Sequence, residues 1–172
     1  MNVHTLNISF SNDSLYADLL RDCYAHATNS NHPSTHTAAL LVQNGKVVLR
    51  GTNILPPGVQ ALKERFEGEN KHIYLNHSER DVLYKAARNG IPTQSLMMVM
   101  PWLPCLNCAN GIISAGITTL VVHKQMIERT RERWQEELKN AVKILNEAEI
   151  SIIAYDGIVG VKAYMNKQEW DA

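Results

Sequence analysis

Apolar residues recur at helical spacing in four stretches of this chain and gather in short runs between them. From Asp13 to Ala27, Leu15, Leu19 with Leu20, and Tyr24 mark a first helix, with Asp13 or Asn12 as its cap. The polar stretch Thr28 to Ser34, with Pro33 inside, ends it. Ala38–Val42 and Val47–Leu49 are apolar runs joined by Gln43-Asn44-Gly45-Lys46, and Asn-Gly between two such runs predicts a hairpin. Gly51 to Asn70 holds Pro56, Pro57, Gly58 and Gly68; it is too long for a plain connection and reads as a functional loop.

The pattern then alternates. A second helix is predicted over Ser78–Asn89, with Val82, Leu83, Ala86 and Ala87 on one face and Gly90 ending it. A strand follows at Leu96–Met100, then a third helix from Cys105 to Ala115, stopped by Gly116. Thr119–Val122 reads as a strand. Arg131–Ala148 reads as a fourth helix with Trp134, Leu138, Val142 and Leu145 as its stripe, and Ile150–Tyr155 as the fifth strand. Residues 156–172 carry too weak a period to place. A hairpin followed by strand–helix alternation predicts an α/β fold, a three-layer α/β/α sandwich around a five-stranded mixed sheet.

Length and composition narrow the classes. The 172 residues suit one domain, 1–172, with a core over about 13–155, and 45% of them are hydrophobic. No stretch nears the ~18 uninterrupted apolar residues of a membrane span, and the N-terminal residues lack a basic-then-apolar signal pattern. Seventeen basic residues balance seventeen acidic ones. Binding to long nucleic acids rests on phosphate neutralisation by a basic face, so a small-molecule substrate is expected instead of a polymer. Three cysteines suit a reducing, cytoplasmic setting more than a disulfide framework.

Two of those cysteines change the picture. Cys105 and Cys108 close Pro104-Cys105-Leu106-Asn107-Cys108, and 28 residues before Cys105 stands His77-Ser78-Glu79. A Cys-x-x-Cys alone is also a redox pair or half of a structural zinc site. A closed structural site needs four ligands, and the remaining cysteine, Cys23, has no neighbour of its kind. A redox pair leaves His77 and Glu79 unexplained. One imidazole and two thiolates form an open zinc site, with the fourth position kept for water. His77 and Cys105 both fall at predicted helix starts, where the partial positive charge favours a thiolate. Glu79 is either a helix-start acid or, beside such a metal, the carboxylate that moves protons. His-x-Glu followed by Pro-Cys-x-x-Cys is the pattern of zinc-dependent nucleobase deaminases.

Further motifs make the resemblance more specific. Pro33-Ser34-Thr35-His36-Thr37-Ala38-Ala39, Gly51-Thr52-Asn53-Ile54-Leu55-Pro56-Pro57-Gly58-Val59, His77-Ser78-Glu79-Arg80 and Cys108 through Ile117 resemble the cytidine deaminase superfamily, within it the deoxycytidylate (dCMP) deaminase family. The resemblance implies that His77, Cys105 and Cys108 bind Zn2+, and that Glu79 shuttles protons during attack of zinc hydroxide on C4. It also implies that Asn53 bonds the sugar, and that the backbone N–H of Ser78 meets the pyrimidine carbonyl. The implied reaction is hydrolytic deamination of dCMP or a close deoxycytidine nucleotide. Free cytidine or deoxycytidine, or dCTP, is the alternative substrate, ahead of an RNA or single-stranded DNA base or a silent zinc-binding module. A homo-oligomer, such as a hexamer, is implied as well. Ile54 replaces a loop glycine of that family and Ser78 an alanine; the first change predicts weak or absent regulation by dCTP and dTTP.

Other residues read less specifically. Trp102 walls a base pocket or packs in the core. Tyr155 and the Arg129-Arg131-Arg133 run reach a substrate phosphate or, for the run more readily, form a solvated face. His36 and His123 read as ordinary polar positions, and Cys23 as core.

Overall fold

The computed structural model describes residues 1–172. After a short turn of helix at Val3–Thr5 come β1 (Ser9–Ser11), α1 (Ser14–Ala27), β2 (Ala38–Gln43) and β3 (Lys46–Thr52). Then follow α2 (Asn70–Tyr74), α3 (Ser78–Asn89), β4 (Met97–Val99), α4 (Leu106–Ser114) and β5 (Thr119–His123). The chain continues through α5 (Lys124–Glu128), α6 (Glu132–Glu147), β6 (Ser151–Tyr155), β7 (Lys162–Met165) and β8 (Gln168–Asp171). Asp13 caps α1, its carboxylate accepting from the Leu15 N–H at 2.9 Å.

The main sheet is mixed, in the order β1-β6-β5-β4-β2-β3. β1, β6, β5 and β4 run parallel; β2 pairs antiparallel with both β4 and β3. It has six strands, one more than the pattern predicts. β1 is three residues long, too short for an alternation to register. The β2–β3 hairpin forms where Asn-Gly predicts it, with Asn44 at φ 51° and Gly45 at φ 73°.

Strand alternation sorts the core into two layers. On β2, Ala39 and Leu41 join one cluster, with Val82 and Ala86 of α3, Ile112 of α4 and Leu138, Val142 and Leu145 of α6. Ala38, Leu40 and Val42 join the other, with Leu20, Cys23 and Tyr24 of α1. Three residues of the predicted apolar helix faces leave the core: Leu15 and Ala87 are exposed, and Trp134 is half-buried at the edge of a cleft. No helix is long and apolar enough to cross a membrane.

Two features fix α3 and, with it, the cleft. A Cβ on Gly51 would fall 2.5 Å from the Val82 nitrogen and 2.7 Å from the Ser78 carbonyl, so only glycine lets β3 approach α3 so closely. Buried Asp81 accepts from the Thr52 N–H at 2.9 Å and pairs with Lys85 at 2.7 Å, tying helix to strand. The tail that sequence leaves unplaced forms the β7–β8 hairpin. Ala163 and Met165 bury it against the α1 layer, and the His36 N–H bonds the Tyr164 carbonyl.

Candidate metal and active site

His77 and Cys105 are the N-cap residues of α3 and α4, both with extended backbone. Cys108 lies in the first turn of α4, three residues from Cys105, which turns both thiols to one side. The donor atoms of His77, Cys105 and Cys108 all lie within 4.8 Å of one another. His77 Nδ1 is 3.5 Å from the sulfur of Cys105 and 3.5 Å from that of Cys108. Bonds of about 2.0–2.1 Å to nitrogen and 2.3 Å to sulfur, at a tetrahedral angle, require a separation of roughly 3.5–3.6 Å. The three residues therefore fit zinc in both chemistry and spacing.

The protonation of the group suits metal uptake. The Cys105 thiol is pulled down to about 4, chiefly by the hydrogen bond from Cys108 and further by His77. Cys108 keeps the shared proton and is pushed up by that same hydrogen bond and by burial. His77 is raised, first by its hydrogen bond to Cys105. A metal must displace the remaining proton to bind both sulfurs as thiolates.

Glu79 is buried, 8% exposed, and lines the same cleft of about 350 Å³ as His77 and Cys105. Its distance in sequence from His77 explains this. Two residues within a helix point about 200° apart, but His77 precedes the helix with φ −69° and ψ 155°, so helical spacing does not separate the pair. The Ser78 hydroxyl donates to Glu79 Oε2 at 3.0 Å.

The remaining expected residues divide. Asn53 is buried in the cleft wall, and its amide is engaged: Oδ1 accepts from the Thr37 N–H at 3.0 Å and Nδ2 donates to the Thr35 carbonyl at 2.7 Å. Trp102 lines the cleft half-buried, its indole N–H donating to Thr130 Oγ1 at 3.0 Å. Ile54 forms a two-way backbone bridge with Asn76, beside His77. Cys23 is fully buried in the core, as expected, its thiol donating to the Ala38 carbonyl.

Three readings need correction. Tyr155 is buried in the α1 layer, away from the cleft, because it ends a strand buried on both faces. His123 is fully buried, its Nδ1 2.8 Å from the Tyr24 hydroxyl and its Nε2 3.0 Å from the Gly157 carbonyl. The arginine run is exposed throughout but does not lie on one helix face: Arg131 and Arg133 line the cleft at the start of α6, whereas Arg129 follows α5 and stacks on Trp170 at 4.3 Å. Sequence reasoning missed His32, Lys71, His72, Asn166 and Lys167, which also line the cleft. His32, Asn166 and Lys167 are far along the chain from the zinc motifs, and Lys71 and His72, although they shortly precede His77, stand at no spacing that marks them.

Comparison with known proteins agrees with this geometry. The family model for the cytidine and deoxycytidylate deaminase zinc-binding region matches residues 13–124. An uncharacterized deaminase in the luxG 3′ region of Aliivibrio fischeri is 27% identical over 123 residues, 72% of this chain and 81% of that protein. The deoxycytidylate deaminase of Enterobacteria phage T2 is 31% identical over 71 residues, 41% of this chain and 37% of the phage protein. The dCMP deaminase of cyanophage S-TIM5, solved with dCMP and dUMP, shares the fold with a TM-score of 0.67 at 16% identity, over 85% of this chain and 99% of the phage chain. The chain belongs to the cytidine and deoxycytidylate deaminase zinc-binding family.

Proposed function

We propose that this deaminase removes the exocyclic amine of dCMP, or of a closely related deoxycytidine nucleotide, to give the uracil form and ammonia. The observation that carries the reading is the buried carboxylate of Glu79 in the same cleft as His77 and Cys105, whose donor atoms lie within 4.8 Å of that of Cys108. The cleft, at about 350 Å³, is of the size that small-molecule ligands occupy. The nucleotide named in the cyanophage structure supports the choice of substrate.

His77, Cys105 and Cys108 would hold zinc, which supplies an acidified water at its open position for attack on C4. Glu79 takes the proton that the water gives up and delivers it to N3. After the C4–O bond has formed, the same carboxyl carries the hydroxyl proton to the amine, the C4–N bond breaks and ammonia leaves. Ser78 holds one oxygen of that carboxylate in place. The Ser78 N–H, in the first turn of α3 where backbone donors lack helical partners, would donate to the pyrimidine carbonyl. Trp102 and Leu103 provide an apolar wall for the base. Asn53 shapes the sugar end of the cleft through the segment it braces, and one donor and one acceptor of its amide remain for the sugar.

The test is ammonia release by the zinc-loaded protein from cytosine, deoxycytidine, dCMP, CMP, dCTP and dAMP. The reading predicts the highest kcat/KM for dCMP. Preference for dAMP, or no release from any cytosine compound, overturns it.

A further inference from the structure

Four cations line the cleft: Lys71 of α2, Arg131 and Arg133 at the start of α6, and Lys167 in the turn between β7 and β8. The only acidic residue among the lining is Glu79. None of the four cations forms a salt bridge. Arg131, Arg133 and Lys167 are exposed while Glu79 is buried, so the positive charge stands at the mouth and the reactive carboxylate at the floor. The N-terminus of α6 adds to this field: it has no side-chain cap, and Glu132 in its first turn is not part of the lining. A ligand with an apolar ring at one end and an anion at the other matches this polarity.

Lys167 differs from the other three in how it is held. Asn166 and Lys167 have φ of 56° and 65°, a left-handed pair in which glycine is favoured at the second place. A lysine there works against backbone preference. The turn is nevertheless fixed: the Lys167 N–H bonds the Ser34 carbonyl at 2.9 Å and the Asn166 N–H bonds Thr35 Oγ1 at 3.3 Å. Ser34 and Thr35 themselves line the cleft, so the hairpin is docked onto its wall. The hairpin also lies outside residues 13–124, where the family region matches.

We propose that the C-terminal hairpin is a specificity element whose Lys167 recognises the 5′-phosphate of the substrate at the cleft mouth. The proposal rests on the reading of the cleft as a nucleotide-deaminase site. Lys71, Arg131 and Arg133 share the charge of the same phosphate, and Lys167 sets the preference for nucleotide over nucleoside. Phosphate recognition here takes the form of point charges gathered from three separate elements.

Lys167→Gly is the informative variant, because it removes the ammonium while suiting the left-handed backbone and the turn. Kinetics on dCMP and deoxycytidine are compared for the parent, Lys167→Gly and Lys167→Arg. The expected result is a fall in kcat/KM for dCMP of roughly tenfold or more, carried by KM, as for loss of one charge-assisted hydrogen bond. Deoxycytidine turnover stays within about twofold, since a neutral sugar draws little from a surface charge, and Lys167→Arg keeps the preference. Equal loss on both substrates, or no loss on dCMP, overturns the proposal. Calorimetry of dUMP against deoxyuridine on zinc-loaded protein separates the two levels. If the parent releases no ammonia but binds dUMP more tightly than deoxyuridine in a Lys167-dependent way, the deamination reading fails and the phosphate site stands. Equal binding of the two ligands removes the phosphate site whatever the turnover.

Discussion

The hydroxyl of Ser78 donates a 3.0 Å hydrogen bond to the Oε2 of Glu79, its neighbour in sequence. Both residues are buried, at 2% and 8% exposure, so water competes weakly for that bond. The related motif carries alanine at this place, which has no hydroxyl to donate. In this chain one oxygen is held by that bond, and in the proposed reaction the other would carry the proton. Ser78→Ala is expected to lower kcat by roughly tenfold with zinc content unchanged, the scale of one hydrogen bond to a charged group. Steady-state kinetics with parallel metal analysis checks this; an unaltered kcat removes Ser78 from the account.

Asn53 was expected to grip the sugar, and its bonds to Thr37 and Thr35 give it a second task. Truncating it takes the partner from a partly buried backbone N–H and carbonyl, at about 1–3 kcal/mol for the two together. Asn53→Ala is therefore expected to lower stability by about 2 kcal/mol and to raise KM more than it lowers kcat. Denaturation midpoints and kinetics measured together test this. A variant of parental stability with an altered KM would return Asn53 to sugar binding alone.

Acid should weaken the fold through His32. Its Nδ1 accepts from the backbone N–H groups of Ser34, at 3.2 Å, and Thr35, at 3.1 Å, so the fold requires the neutral ring. Burial, then His72, Lys71, His77 and His36, push its pKa down to about 4, against about 6.5 unfolded. A depressed histidine contributes stability that is whole above about 6.5 and is lost as pH falls toward 4. The loss is on the order of 3 kcal/mol. His123, lowered mainly by burial, acts in the same direction. Urea midpoints should fall steadily from pH 7 to 4.5, and His32→Gln should flatten that slope. A parental midpoint that holds constant across this range contradicts the assignment.

Ile54 bears on regulation. Its backbone is committed to Asn76 in both directions, and its branched side chain stands where the related loop has glycine. An allosteric effector must distinguish two states, and a pinned loop offers it little difference. Rate against dCMP concentration should be hyperbolic, with dCTP and dTTP acting only as competitors. A sigmoidal curve that dCTP straightens and dTTP steepens would overturn this.

How much of this was legible in the chain follows from the range of each signal. The His77, Glu79, Cys105 and Cys108 set is readable because helix starts turn short spacings into shared direction. The unbroken apolar run of Ala38 through Val42 likewise announces a strand buried on both faces. β1 was missed because three residues carry no period, and β7–β8 because its hairpin turn, Asn166-Lys167, lacks the glycine that usually marks such turns. The cationic mouth is assembled from α2, α6 and that same hairpin. Tertiary packing alone brings those elements together, so no window of sequence contains the signal.

The central claim is that Glu79 moves protons beside a zinc held by His77, Cys105 and Cys108. Glu79→Gln keeps the shape and the Ser78 contact while removing the ability to carry a proton. Zinc content and single-turnover ammonia release from dCMP, measured on the parent and on this variant, test it most directly. The account predicts about one zinc per chain in both proteins and a rate lower by roughly 10²–10⁴ in the variant. A zinc-loaded Glu79→Gln protein that releases ammonia at the parental rate would contradict it.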